Sequence, residues 1–314
     1  MPYVNSKAVH QIDVPLSNLS VKFANDASAY IADQIFTGLP VAKESDAYYI
    51  FGKDSLRLEE SIRANGAKAN EVTYELSTST YTLNRHSLKE LVTDRERENA
   101  DEGLDPDISA MENVTEKILL RKEKIASTLL MTTTAGGSSH SLTSTLGWTD
   151  LTTISDPIGD VQTATTVIQQ SSAKLPNTLV FGYDAFSGLR NHPNILERIK
   201  YSERGVVTVD LLKAVFDIDK ILIGNAIENT AAEGDPDTLG YVWANHAWVG
   251  YVNPQAGLRR VSAGYNFFKK EKNLKVWVKK WRDEDREGDW IEANMMSRPI
   301  LVATACAYSI KGVA

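Results

Sequence analysis

The stretch from Ile108 to Met131 constrains this chain most. Apolar residues recur at Ile108, Met111, Val114, Ile118, Ile125 and Leu129, at spacings of three, three, four, seven and four. That is one face of a helix. Asp105-Pro106 stands just ahead of it. An Asp there accepts from the free N–H groups of a first turn, and Pro is preset for the first helical position. From Ile108 to Met131 the helix would run about 36 Å at 1.5 Å per residue, and Thr132 to Gly137 should end it. The rest of the chain must be organised along that rod.

After the rod, the Ser/Thr/Gly-rich segment Gly136 to Ser155 reads as a linker. Asp156-Pro157 then starts a second helix, with Ile158, Val161, Thr165 and Ile168 on one side. A strand is expected at Thr178 to Phe181, short helices at Asp184, at Pro193 to Ile199 and at Val209 to Phe216, and a strand at Lys220 to Ile223. Aromatic strands around Tyr241 to Tyr251 close this α/β unit. Strands at Lys272 to Trp281 and Trp290 to Met296 flank an acidic turn, and Ile300 to Ile310 reads as a final buried strand.

Ahead of the rod, the segment to about Ser45 is polar, with one short helix expected in Asn25 to Phe36. Its apolar side is Ala29, Ile31, Ala32 and Ile35. With so few large apolar groups it reads as an arm that needs something to lie on. Two β-prone runs follow, Ala47 to Phe51 and Val72 to Leu83, and then a helical stretch, Ser87 to Asn99. Between the runs, Gly52 to Asn70 is almost all charged or small, with Leu56, Leu58 and Ile62 as its large apolar residues. It is either a floppy surface loop or a long hairpin that docks on a neighbour.

Charge narrows the function. The 314 residues carry a net charge of −7, with 42% hydrophobic and 24% charged residues, a globular balance. Lys and Arg are interspersed with Asp and Glu, so no basic stripe for phosphates is evident. The densest basic stretch, Arg121-Lys122-Glu123-Lys124, reads as a solvated helix face. No apolar run reaches the ~20 residues that span a bilayer, and Met1 to His10 has no secretory pattern. The single cysteine, Cys306, lies in an apolar run and reads as a buried small residue.

Motifs for chemistry are missing from the sequence. Phe51-Gly52-Lys53-Asp54 has the Gly-Lys pair of a phosphate loop but neither its first Gly nor its Ser/Thr. Gly136-Gly137 follows a helix, whereas a phosphate cradle precedes one. The histidines His10, His86, His140, His192 and His246 are scattered without zinc spacing, and each reads as structural. Asp283, Asp285, Glu287 and Gly288 match the opening of a calcium loop, yet Asn294 stands where a bidentate Glu belongs. A charged hairpin turn is the favoured reading. No catalytic, cofactor-binding or metal residue is therefore expected.

The order of these segments resembles the tailed-bacteriophage major capsid protein family, whose fold is named after phage Hong Kong 97. Thr115 to Leu130 resembles its spine helix, and Asn177 to Phe186 a strand-to-helix step in its axial domain. Phe216 to Ala226 resembles the strand that follows a helix there, and Arg298 to Tyr308 the last strand of its peripheral domain. The resemblance implies an α+β fold with an N-terminal arm (1–45), an extended loop (46–85), a peripheral domain (86–155 and 255–314) with a long spine helix, and an axial domain (156–254). It implies hexamers and pentamers closing into an icosahedral head around double-stranded DNA. The virion would form in the bacterial host cytoplasm, with scaffolding, portal and decoration proteins as partners and no membrane. A long helical N-terminal extension, which serves some members as built-in scaffold, is not expected here. Intersubunit contacts would fall on Lys53, Asp54, Arg57, Glu59, Glu60, Arg63 and Lys68. Some members crosslink a loop lysine to a peripheral asparagine; Lys53, Lys68 and Asn294 have the right types, and no crosslink is expected. Two other readings remain open: an encapsulin-like shell around an enzyme cargo, and an unrecognised α/β enzyme.

Overall fold

A computed structural model describes residues 25–100, 105–131, 139–142, 147–151, 155–200, 207–257, 260–269 and 275–314. The elements, in chain order, begin with α1 (Ala32–Ile35), β1 (Thr37–Pro40), β2 (Ser45–Phe51), β3 (Leu76–Thr82) and β4 (Asn84–Thr93). Next are α2 (Asp94–Glu98), α3 (Pro106–Met131), β5 (Ser139–Ser141), α4 (Pro157–Ser172), β6 (Thr178–Gly182), α5 (Tyr183–Asn191) and α6 (Pro193–Ile199). They end with α7 (Val209–Phe216), β7 (Lys220–Gly224), β8 (Ile227–Asn229), β9 (Leu239–Tyr241), β10 (His246–Gly250), β11 (Gly264–Phe268), β12 (Val276–Asp283), β13 (Gly288–Leu301) and β14 (Ala307–Lys311).

The expected rod is α3. Asp105 caps it, its Oδ1 accepting from Asp107 N at 2.9 Å and Ile108 N at 3.3 Å. The buried face runs through Ala110, Val114, Ile118, Lys122, Ala126 and Leu130, a strict four-residue row. Ile108 and Met111, expected on the apolar stripe, are exposed. The stop expected at Thr132 to Gly137 and the arm residues 1–24 lie outside the described residues.

Two sheets share α3. The first has β13 as its common strand. Gly288 to Ser297 is held antiparallel to β4, and its start also to β12; Ser297 to Leu301 pairs with β11, whose other edge takes β1 in parallel. Val92, Ile291, Ala293 and Met295 of this sheet pack on Val114 and Ile118. The second sheet has the order β5-β14-β10-β6-β7. Its β6 is buried throughout, and α4 to α7 cover it with Ile168, Leu189, Ile195 and Leu212, each fully buried. Burying such a side chain contributes about 1.5–3 kcal/mol. The C-terminal end of α3 reaches this sheet, where Ser309 Oγ donates to the Leu130 carbonyl at 2.9 Å.

Several expectations fail for physical reasons. The stretch Ser87 to Asn99 is a strand up to Thr93, because a ladder to β13 overrides a spacing of Leu88, Leu91 and Val92 that also suits a helix. Only Asp94–Glu98 is helical, started by a capping box between Thr93 and Glu96. Ile300 to Ile310 is not one strand: β13 ends in the first sheet, a 3-10 turn intervenes at Thr304–Cys306, and β14 pairs with β10 in the second. The linker reading of Gly136 to Ser155 fails in its described parts. There β5 pairs with β14, and Trp148 is fully buried with Nε1 donating to Asp160 at 2.9 Å.

The solvated-face reading of Arg121 to Lys124 is corrected too. Lys122 and Glu123 are buried at 8% and 1% exposure. Lys122 Nζ meets Asp33 at 2.5 Å. The Glu123 carboxylate accepts from the backbone N–H of Ile31 and Ala32, both at 3.0 Å, and from Trp243 Nε1 at 2.6 Å. Residues 25–36 thus lie on α3 with Ala29, Ile31, Ala32 and Ile35 buried. A charged pattern hides a buried polar latch.

Candidate intersubunit surface

The hairpin of β2 and β3 leaves the body between β1 and β4. Its ladder sets Ser45 opposite Thr82 and Phe51 opposite Leu76, so Tyr48 and Tyr81 share one face while Tyr49, Phe51 and Leu76 share the other. At the root, Tyr81 stacks on Phe267 with centroids 4.7 Å apart, and Tyr48 lies 5.6 Å from the same ring. Leu83 N donates to the Glu44 carbonyl at 2.8 Å, and Lys269 pairs with Glu44 at 2.9 Å. The root is fixed.

The distal part differs. Tyr49, Leu56, Val72 and Tyr74 are 60–70% exposed, and Leu58 and Ile62 reach 98% and 83%. A monomer rarely displays so many large apolar groups together without a partner for them. The charged residues expected at contacts all sit here. Asp54 Oδ2 accepts from Glu75 N at 3.0 Å, and Asp54 pairs with Arg57 at 3.4 Å. Glu60 accepts from Ile62 N at 2.9 Å, its carbonyl accepts from Asn70 at 2.7 Å, and Arg63 donates to the Ala67 carbonyl. These bonds shape the loop from within. Lys53, Glu59 and Lys68 are exposed. The apolar residues of the distal ladder, Tyr49, Phe51 and Leu76, and Tyr74 just beyond it, are what charge-based reasoning missed. The unbroken apolar run Ala47 to Phe51, which must put Tyr49 and Phe51 on the face opposite Tyr48, was the available signal.

Other expected sites fall elsewhere. Asn294 is fully buried, with Oδ1 accepting from Ser87 Oγ at 2.7 Å and Arg85 Nη2 at 3.0 Å. The 283–288 segment is the turn of the β12–β13 hairpin, with Asp283 Oδ2 accepting from Trp290 Nε1 at 2.8 Å. His192 is fully buried and its Nδ1 accepts from Asn194 N, capping α6. Burial pushes its pKa down, against the opposing pull of Asp156 and Asp150. Burial pushes the Cys306 thiol up. Among the described residues, no group of three or more His, Cys, Asp or Glu could hold a metal ion, and no helix is long and apolar enough to cross a membrane.

A helix rod shared by two sheets, with a root-anchored hairpin projecting from one of them, defines an α+β shell subunit of the Hong Kong 97 type. A family model described as phage major capsid protein E matches residues 136–314. The major capsid protein of Burkholderia phage BcepMu is 31% identical over 310 residues, 96% of each chain. The crystal structure of a phage-related protein from Bordetella bronchiseptica RB50 is similar at TM-score 0.70 and 25% identity, covering 92% of this chain and 94% of that one. The capsid structure of cyanophage P-SCSP1u shares the fold at TM-score 0.61 and 12% identity, covering 93% and 90%. The chain belongs to the phage major capsid protein family, and it serves as the subunit of an icosahedral phage shell. The sequence kinship is to phage capsids, which favours that reading over a cargo-enclosing compartment or an α/β enzyme.

Proposed function

We propose that the subunit builds hexamers and pentamers through its extended loop, which docks on an adjacent copy. The observation that carries this is the hairpin's contrast between a packed aromatic root and a tip with Leu58 and Ile62 almost fully exposed. Hairpin and receiving surface are different patches, so the contact is head-to-tail, and such contacts close into rings when the rotation allows. The charged loop residues Lys53, Asp54, Arg57, Glu59, Glu60, Arg63 and Lys68 form the rim of that contact. Exposed ion pairs contribute about 0.2–1 kcal/mol each, weak enough for misplaced subunits to leave before the lattice closes.

The same reading divides the chain into arm (1–45), extended loop (46–85), peripheral domain (86–155 and 255–314) and axial domain (156–254). β5 and β14 cross over to complete the axial sheet. The subunit has no catalytic role. It encloses double-stranded DNA without binding it tightly, in keeping with a net charge of −7. It assembles in the host cytoplasm with scaffolding, portal and decoration proteins. To test the docking role, Lys53 to Ala69 is replaced by a short Gly-Ser turn. Melting of the isolated subunit should stay within a few degrees of the parent, while sedimentation finds no shells. Normal closed shells from this variant would refute it.

A further inference from the structure

Beside the root of the hairpin lies a groove of about 720 Å³, a size within the ~300–1,000 Å³ of small-molecule sites. One wall is β2 from Ala47 to Phe51. The other is the chain from Leu39 to Val41, the stretch Arg260 to Ser262, and Val302 with Ala303. Its floor is Tyr81, Tyr265 and Phe267, each at most 6% exposed, while Tyr49, Phe51 and Val261 at its rim are 42–60% exposed. A buried aromatic floor reached past an open apolar rim suits an apolar body.

The polar groups of the groove narrow the ligand. Tyr81 Oη donates to the Lys43 carbonyl at 3.3 Å, Tyr265 Oη donates to the Arg260 carbonyl at 2.9 Å, and Ser262 Oγ accepts from Asn253 N at 3.2 Å. These groups are committed within the subunit, so a sugar or nucleotide would bury polar atoms with few partners. Among the described residues, Arg260 is the one charged side chain that lines the groove. It is exposed, its guanidinium donates to the neutral side chain of Gln255, and no described carboxylate pairs with it. An unpaired guanidinium at the edge of an apolar groove complements a carboxylate on an apolar tail, because the planar fork takes a carboxylate in a bidentate fashion.

We propose that this groove binds a long-chain fatty carboxylate, with its head on Arg260 and its chain along Tyr81, Tyr265 and Phe267. One wall belongs to the hairpin and the other to the body, so the bound chain ties the two together and restrains β2 against Val261 and Val302. The subunit thereby carries a ligand site that acts on its projecting element. The site lies apart from Leu58 and Ile62 and stands whether or not the hairpin tip docks on a neighbour.

The test titrates the full-length subunit, below its assembly concentration, with dodecanoate below its micelle concentration, read by isothermal calorimetry. One dodecanoate per subunit should bind, at least tenfold more tightly than dodecyltrimethylammonium, which has the same chain and the opposite charge. Decanoate should bind about tenfold more weakly than dodecanoate, for two fewer buried CH₂ groups. Arg260→Gln should weaken dodecanoate at least fivefold with melting of the subunit unchanged, and Val261→Glu at the rim should reverse the preference between the two head charges. Amide hydrogen exchange across Ser45 to Phe51 should slow when dodecanoate is bound. Equal affinity for both heads, or an Arg260→Gln variant that binds like the parent, overturns the proposal. Tighter binding of dodecyl phosphate than of dodecanoate overturns the carboxylate head. No saturable binding of any amphiphile, with Tyr49 and Val261 protected from exchange only in shells, would give the groove to a second copy and overturn it as well.

Discussion

Replacing Glu123 by alanine should detach the segment 25–36 from α3. The carboxylate is the acceptor for Ile31 N and Ala32 N, each at 3.0 Å, and Trp243 Nε1 at 2.6 Å. All three donors belong to residues at most 4% exposed. A buried donor left unpaired costs about 1–3 kcal/mol, which for three gives an upper range near 3–9 kcal/mol. Two effects reduce it. Removing the glutamate also removes the penalty of burying its charge, which pushes its pKa up despite the three donors, and water can enter the space vacated. Breaking a buried partner set of this kind costs about 3–5 kcal/mol in net terms, and the lower end is expected here. Urea unfolding of the subunit, below its assembly concentration, should therefore show a loss near 3 kcal/mol. Limited proteolysis should cut within 25–36 in the variant first. Glutamine, which turns two N–H groups toward any N–H facing it, should recover less than half of the loss. A loss under about 1 kcal/mol would refute the latch.

Stability should fall with acid in two windows. Burial lowers the His192 pKa from 6.5, so its contribution is complete above about pH 6.5 and is lost as pH falls through the lower, folded value. The His192→Asn variant, which keeps a cap for α6, should flatten melting temperature between pH 7 and 5; an unchanged slope would contradict this. Asp94 is held below its ordinary value of 3.8 by its hydrogen bonds to Arg282, so its contribution is present above that value and goes only as pH drops further. Boiled particles should run as a single monomer band, because Asn294 is sealed in the sheet with its Oδ1 held by Arg85 and Ser87. A ladder of covalent oligomers would show otherwise.

Much of this architecture is legible in the sequence because local signals and tertiary packing agree. Asp105-Pro106 starts α3 and Asp156-Pro157 starts α4 where the pattern places them. The α5 to α7 run appears as expected between β6 and β7. The failures are non-local. Glu123 reads as one more surface charge until residues 31 and 32, some ninety positions away, supply their N–H groups. Leu88, Leu91 and Val92 fit a helix period, and only pairing with β13 makes them a strand. Of the candidate contact surface, the charged tip was visible, while the exposure of Tyr49, Phe51 and Leu76 on one face needed the ladder register.

The central claim, that this chain is a shell subunit, is tested most directly by electron microscopy of the purified, concentrated full-length protein. Closed icosahedral shells are expected, or rings of five and six subunits that close into shells on concentration. A homogeneous monomer at every concentration, with the hairpin tip still open to protease, would contradict it.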